Sequence, residues 1–228
     1  MTADTFDRYA ADRADARFTD WLRERSEPDW TEAVEHGFVA ELADGTVDDA
    51  VFRRYLVQDY AFVGALVGAF GHAVGQAPTM DAKGSLTEFL GTLTDEENDY
   101  FERSFDALGV PDDERADPER ADVTEAFEDL LVRAALQGDY EETLAVLVPA
   151  EWIYLSWASG TGGTPDEFYL SEWIGLHQDP AFEAFVDWLR GELDRYGPAL
   201  DERRRRRVER LFRRTVALEV QFFDAAYE

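Results

Sequence analysis

Residues 52–66 read FRRYLVQDYAFVGAL, and their spacing decides what kind of fold this chain adopts. Phe52, Leu56, Asp59, Val63 and Leu66 recur at intervals of three and four, so they share one face of a helix. Strand-like alternation is absent here and along the rest of the chain. In TLAVLVPAEWIYLSWA (143–158), Leu144, Leu147, Glu151, Tyr154 and Ala158 form a similar stripe. RLFRRTVALEVQFFDAAY (210–227) does the same with Phe212, Val216, Glu219, Phe223 and Ala226. Working outward, the periodicity predicts helices near 14–26, 30–42, 48–76, 82–108, 115–137, 140–159, 166–176, 178–195 and 199–227. Ser85–Glu88, Thr94–Glu97 and Thr164–Glu167 each place a hydroxyl three residues before a glutamate, the spacing of a capping box. Connections are short and no segment reads as a linker, so the expectation is one all-α domain over residues 1–228.

Each of the three stripes carries an acid on its apolar face: Asp59, Glu151 and Glu219. A carboxylate in an apolar seam is costly unless it is paired or hydrogen-bonded. An internal arginine, a tyrosine or a helix end could satisfy any one of them. Three such acids, each beside aromatics (Tyr60 and Phe62; Trp152 and Tyr154; Phe222 and Phe223), point instead to a shared pocket between helices. Such a pocket suits a flat, nitrogen-rich ligand, including a cationic one. Rings stack on its faces, and carboxylates accept its N–H groups or raise the basicity of a ring nitrogen.

Composition narrows the classes. Lys+Arg number 22 and Asp+Glu 50 among 228 residues, for a formal charge of −28. A surface of that sign repels nucleic acid and anionic lipid, so neither is expected as a partner. Hydrophobic residues at 45% and aromatics at 14% separate the chain from acidic disordered sequences. Lys83 is the only lysine. Many carboxylates with almost no lysine fit a halophilic protein working in concentrated salt, where ionic strength screens self-repulsion.

With no cysteine, disulfides, thiolate metal sites and a cysteine nucleophile are excluded. The N-terminus MTADTFDRYAADRAD has no apolar core, and the apolar stretch 144–158 is interrupted and short for a membrane span, so a cytoplasmic location is expected. Di-iron bundles need Glu-x-x-His pairs, and none of His36, His72 and His177 has a glutamate three residues before it. His36 is a loose candidate for a haem ligand. No metal and no cofactor are expected. Gly160–Gly163 follows a helix and reads as a helix-to-helix turn, not a phosphate loop. The run Arg203–Arg207, with Asp201, Glu202 and Glu209 alongside, reads as a solvated, salt-bridged face.

Four segments together resemble a known family. HGFVAELADGTVDDAVFRRYLVQDYAFV (36–63), QGDYEETLAVLVPAEWIYLSWAS (137–159), SEWIGLHQDPAF (171–182) and ALEVQFFDAAY (217–227) are similar, in order, to the signature segments of the TenA/THI-4 family. The resemblance implies a haem-oxygenase-like helical bundle that assembles as a homo-oligomer, a dimer or a tetramer. It implies cleavage of thiamin-related pyrimidines at the aminomethyl carbon (thiaminase II, or aminopyrimidine aminohydrolase) in thiamin salvage. By position, Asp59 matches the aspartate that grips the aminopyrimidine edge, Tyr154 a pocket tyrosine and Glu219 the catalytic glutamate. In the better-known branch a cysteine follows the Leu-Pro dipeptide; here Val148-Pro149 is followed by Ala150. Phe62 and His177 stand where that branch has tyrosines. The chain therefore resembles the cysteine-lacking branch.

The expected chemistry needs no covalent enzyme intermediate. Asp59 holds the 4-amino and ring-nitrogen edge. Glu219 or Glu151, its pKa raised by the apolar seam, protonates the departing amine, and the other activates water. Phe62, Tyr154, Trp152, His177 and Phe222 are the candidates to enclose the ring. The alternative is a non-catalytic pyrimidine-binding or regulatory protein of the same fold.

Overall fold

The structure, a computed structural model, describes residues 5–11 and 13–228. Every regular element among them is a helix. Short helices α1 (Phe6–Ala11), α2 (Phe18–Arg25), α3 (Asp29–Val34) and α4 (Gly37–Asp44) precede the long α5 (Asp49–Gln76). Then come α6 (Met80–Thr94), α7 (Glu96–Leu108), α8 (Asp112–Ala116) and α9 (Asp122–Gln137). The chain ends with α10 (Tyr140–Gly160), α11 (Phe168–Gln178), α12 (Pro180–Tyr196) and α13 (Glu202–Ala225). The all-helical reading of the sequence holds. None of these helices is long and apolar enough to cross a membrane.

Three expected helices are each two. The 30–42 helix divides at His36, whose Nδ1 accepts a hydrogen bond from the backbone N–H of Phe38 at the start of α4. Its other ring nitrogen meets Asp224 at 3.2 Å, so His36 is a structural cap. The 82–108 helix divides at Asp95, and the 115–137 helix divides between α8 and α9, around Pro118. The three expected capping boxes do not form. Thr94 is the last residue of α6 and its hydroxyl bonds back to the Leu90 carbonyl, as Ser85's does to Asp81. Thr164 lies in the loop before α11. The box sits instead at α10, where the Glu142 carboxylate accepts from the Asp139 N–H at 3.1 Å.

α10 is the axis of the bundle. From Tyr140 to Tyr154 only Glu141 is not buried, so the helix is covered on all sides and not along one stripe. α13, α12, α9, α11 and α5 pack round it. Pro149 in its middle gives no N–H to the carbonyl of Ala145, a backbone irregularity beside the Ala150–Glu151 pair. Polar ties hold the ends. Arg204 of α13 bonds Glu142 at 2.6 Å, and Arg17 reaches Asp194 of α12 at 2.6 Å. Gln58 of α5 accepts from the Ala121 N–H and the Thr124 hydroxyl and donates to the Glu119 carbonyl, fixing the start of α9. At the far end of α5 the Lys83 ammonium donates to the carbonyls of Val74 and Gly75.

Gly45 and Gly197 are among the glycines that their surroundings require. Gly45 ends α4 at φ +66, a left-handed conformation costly for other residues. Gly197, between α12 and α13, lies under the Phe18 ring; a Cβ there would stand 2.3 Å from a ring carbon. Phe18 is fully buried against Phe6 and Trp21 and has nowhere to retreat. Gly197→Ala is therefore expected to cost about 1–3 kcal/mol through overpacking. Urea denaturation reads this as a lower midpoint at unchanged slope, and a midpoint equal to the parent's would contradict the packing described.

Candidate active site

A cavity of about 700 Å³ opens between α5, α6, the start of α7, α10, α11 and α12. Its inner wall is built by α5 and α10. Asp59, Phe62, Val63 and Leu66 follow one another at helical spacing on α5, and Ala150, Glu151 and Tyr154 do so on α10. Trp173 and His177 of α11 close the inner end, and Phe89, Phe182, Phe185 and Trp188 make the outer part aromatic. The Phe89 and Phe185 rings stack with centroids 3.7 Å apart.

Asp59, Glu151 and Glu219 are 2%, 6% and 1% exposed. At each, one carboxylate oxygen is buried with no partner: Oδ2 of Asp59, Oε1 of Glu151 and Oε1 of Glu219. No arginine, lysine or other side chain among the described residues pairs with any of them. Burial pushes all three well above the usual carboxylate range. Their mutual charges push the same way: Glu97 and Asp59 act on Glu151, while Asp59 and Glu151 act on Glu219. Glu219 does not line the cavity; it lies behind the inner wall, close enough for its charge to bear on both Tyr55 and Tyr154.

Two further groups are set by hydrogen bonds. The Tyr154 and Tyr55 hydroxyls are 2.9 Å apart in the core, which fixes the Tyr154 ring at the cavity wall. His177 Nδ1 lies 2.8 Å from the Trp173 carbonyl. A carbonyl only accepts, so Nδ1 carries the proton and Nε2 presents a lone pair. Burial pushes this imidazole down to about 4, so it is neutral near pH 7.

Two of the aromatic candidates lie elsewhere. Trp152 follows Glu151 by one residue, about 100° round the helix, so it faces away from the cavity. Its ring packs on Trp30 at 4.7 Å and under the Arg190 guanidinium at 3.6 Å. Phe222 packs behind the wall, 6.0 Å from Phe62 and 5.8 Å from Tyr55, and supports the lining without joining it. Conversely, Glu97 lines the cavity from the first turn of α7 and is pushed up to about 8 by burial. The sequence did single out Thr94–Glu97, but as a capping box; the break at Asp95 turns the glutamate toward the cavity instead.

The arrangement is an acid-rich, aromatic cavity with no fixed counter-charge. Among the described residues no cluster of histidines and carboxylates is grouped to hold a metal ion. The sequence model of the TENA/THI-4/PQQC family matches residues 23–228, nearly the whole chain. This chain belongs to that family. Among curated TENA/THI-4/PQQC-type relatives, an aminopyrimidine aminohydrolase of Halalkalibacterium halodurans is 25% identical over 209 residues, covering 90% of this chain and 93% of the relative. The TenA homologue from P. horikoshii OT3 superposes with a TM-score of 0.83 at 23% identity, over 93% of this chain and 99% of that one. Haem oxygenase-1 from the cyanobacterium Synechocystis superposes at 0.60 with 14% identity, over 92% of each chain. The family's haem-oxygenase-like bundle is thus the fold of this chain.

Proposed function

We propose that this TENA/THI-4/PQQC member is a hydrolase of thiamin-related pyrimidines that works without a cysteine nucleophile. It converts an aminomethyl- or formylaminomethyl-aminopyrimidine to the hydroxymethyl pyrimidine. The observation that carries the reading is the trio Asp59, Glu151 and Glu219, each buried with an unpartnered oxygen, the first two on the inner wall of an aromatic cavity and the third just behind it. The H. halodurans relative's name supports the substrate class.

In the reaction the exocyclic C–N bond breaks, water supplies the new C–O bond, and the departing amine gains a proton. Asp59, on the inner wall beside Phe62, accepts from the 4-amino group and shares a proton with the adjacent ring nitrogen. This drives electron density toward the 5-aminomethyl carbon. Glu219 and Glu151 hold opposite protonation states: one protonates the amine and the other deprotonates the attacking water, Glu151 directly from the cavity wall and Glu219, behind that wall, by way of the Tyr154 hydroxyl. Raised pKa values suit both tasks: near neutral pH the protonated carboxyl is available as an acid, and the ionised one is a stronger base than an ordinary carboxylate. Tyr154, held by Tyr55, orients the second carboxylate. Neutral His177 accepts a hydrogen bond from the substrate through Nε2.

The test is ammonia release from 4-amino-5-aminomethyl-2-methylpyrimidine in multimolar potassium chloride, the solvent that the acidic composition favours. Stoichiometric ammonia with the hydroxymethyl product is expected. Calorimetric binding of the pyrimidine with no ammonia would replace the hydrolase by a binding protein. Neither binding nor release would remove the pyrimidine altogether.

A further inference from the structure

The arginine run at the start of α13 behaves only partly as its sequence suggests. Arg204 pairs with Glu142 and Glu141, Arg205 with Asp7 and Arg206 with Glu202, a salt-bridged face as expected. One face further along is different. Arg207, Arg210 and Arg214 follow at helical spacing, and with Arg133 of α9 they wall a groove of about 490 Å³. Leu130, Ala134 and Leu211 form its floor, and no carboxylate lines it. Arg207 donates one N–H to the Gln137 carbonyl at 2.9 Å. Arg133, Arg210 and Arg214 have no ion pair among the described residues. The nearby acids are turned elsewhere: Glu209 bonds Arg25 at 2.8 Å, and Asp129, one turn before Arg133, lies outside the groove.

In a chain with 50 acids and 22 basic residues, four guanidiniums sharing one groove without a carboxylate are a local reversal of charge that attracts an anion. We propose that the α9/α13 groove binds a small molecule carrying two or more linked phosphate groups and an apolar body. Guanidinium forks match phosphate oxygens two at a time. Successive arginines three and four residues apart on α13 stand about 4.5–6 Å apart along the axis, so a chain of phosphates engages several where a lone carboxylate engages one. The leucine and alanine floor takes the apolar body. A long polyanion is disfavoured, because it would run onto Asp122, Glu125, Glu128 and Asp129 along the same α9. The site is separate from the cavity. It lies behind the inner wall: Glu219 is five residues beyond Arg214 on α13, and the Phe127 ring of α9 lies 4.5 Å from the cavity-lining Phe62 ring, tilted against it.

Calorimetric titration with tripolyphosphate and with ATP, at the lowest KCl concentration at which circular dichroism shows the parent folded, so that screening is least, tests this directly. Saturable one-to-one binding is expected, with ATP the tighter of the two. The double variant Arg210→Ala/Arg214→Ala, at two exposed positions, should weaken both by at least about tenfold. Arg206→Ala, which removes a partner of Glu202 outside the groove, should leave both unchanged. Circular dichroism confirms that each variant is folded. No saturation by either probe, or equal affinity in the double variant, would overturn the proposal. So would binding confined to RNA or to vesicles of anionic lipid. ATP no tighter than tripolyphosphate would remove the apolar body from it.

Discussion

Glu219→Gln should lose turnover by about 10²–10⁴-fold and, at pH 8, be more stable than the parent. The two effects share one cause. Glu219 is 1% exposed with an unpartnered oxygen, and burial followed by the charges of Asp59 and Glu151 raises its pKa well above the usual range. A carboxyl whose folded pKa is raised binds its proton more tightly in the native state than in the unfolded one. Its contribution is therefore fully present below the unfolded value of about 4.3 and is lost as pH rises through the folded value. Glutamine keeps the shape and has no proton to lose. The variant should gain roughly 1–3 kcal/mol over the parent at pH 8, or a few degrees in Tm for a chain of this size. Near pH 4 the two should coincide. Thermal denaturation across pH 4–9, with ammonia release alongside, checks both halves. Unchanged kcat would remove Glu219 from the chemistry, and a stability gap independent of pH would remove the buried-proton account.

Ala150→Cys should turn a protein without thiols into one with a single, ligand-protected thiol. Ala150 stands where the cysteine-using relatives carry their nucleophile by resemblance, and it lines the cavity one turn before Tyr154. No background thiol exists, so every alkylated molecule reports this position. The new thiol sits beside Glu151 in an acid-rich wall, which raises its pKa, so alkylation by iodoacetamide should be slow and accelerate with pH. Bound aminopyrimidine should suppress it at least about tenfold, following site occupancy. Met80→Cys, at a residue 78% exposed and outside the cavity, is the reference: fast and indifferent to the pyrimidine. If the thiol of the Ala150→Cys variant reacted as fast as that reference with pyrimidine present, the cavity would not be where the pyrimidine sits.

The all-helical class was readable because three- and four-residue spacing runs through every long helix. The breaks were not. Asp95 interrupts 82–108 without a proline or glycine at the junction, so nothing local announces it, and the Thr94–Glu97 spacing mimics a helix start one residue too early. Asp59, Glu151 and Glu219 stood out because charge on an apolar stripe violates the pattern around it. The structure places the first two on the cavity wall and the third behind it. Glu97 was hidden by the opposite circumstance: in TDEEND an acid has acidic neighbours, and only the turn at Asp95 distinguishes it. Trp152 shows the limit of adjacency as a guide, since one step along a helix rotates a side chain out of the site its neighbour faces. His36 and the salt-bridged arginines are long-range matters, settled by Asp224, Glu142 and Asp7 from distant parts of the chain.

The chain's one side-chain amine is not idle. Lys83 holds the last carbonyls of α5, the helix that carries Asp59 and Phe62 at the cavity wall. For anyone attaching a dye, a resin or a cross-linker, this inverts the usual practice. Acylating reagents aimed at lysine have one side chain to find, and taking it removes the cation that closes a 28-residue helix. Lysine-to-lysine cross-linking can yield no intramolecular map of this fold. Carbodiimide coupling through surface carboxylates reaches dozens of positions and spares that helix end.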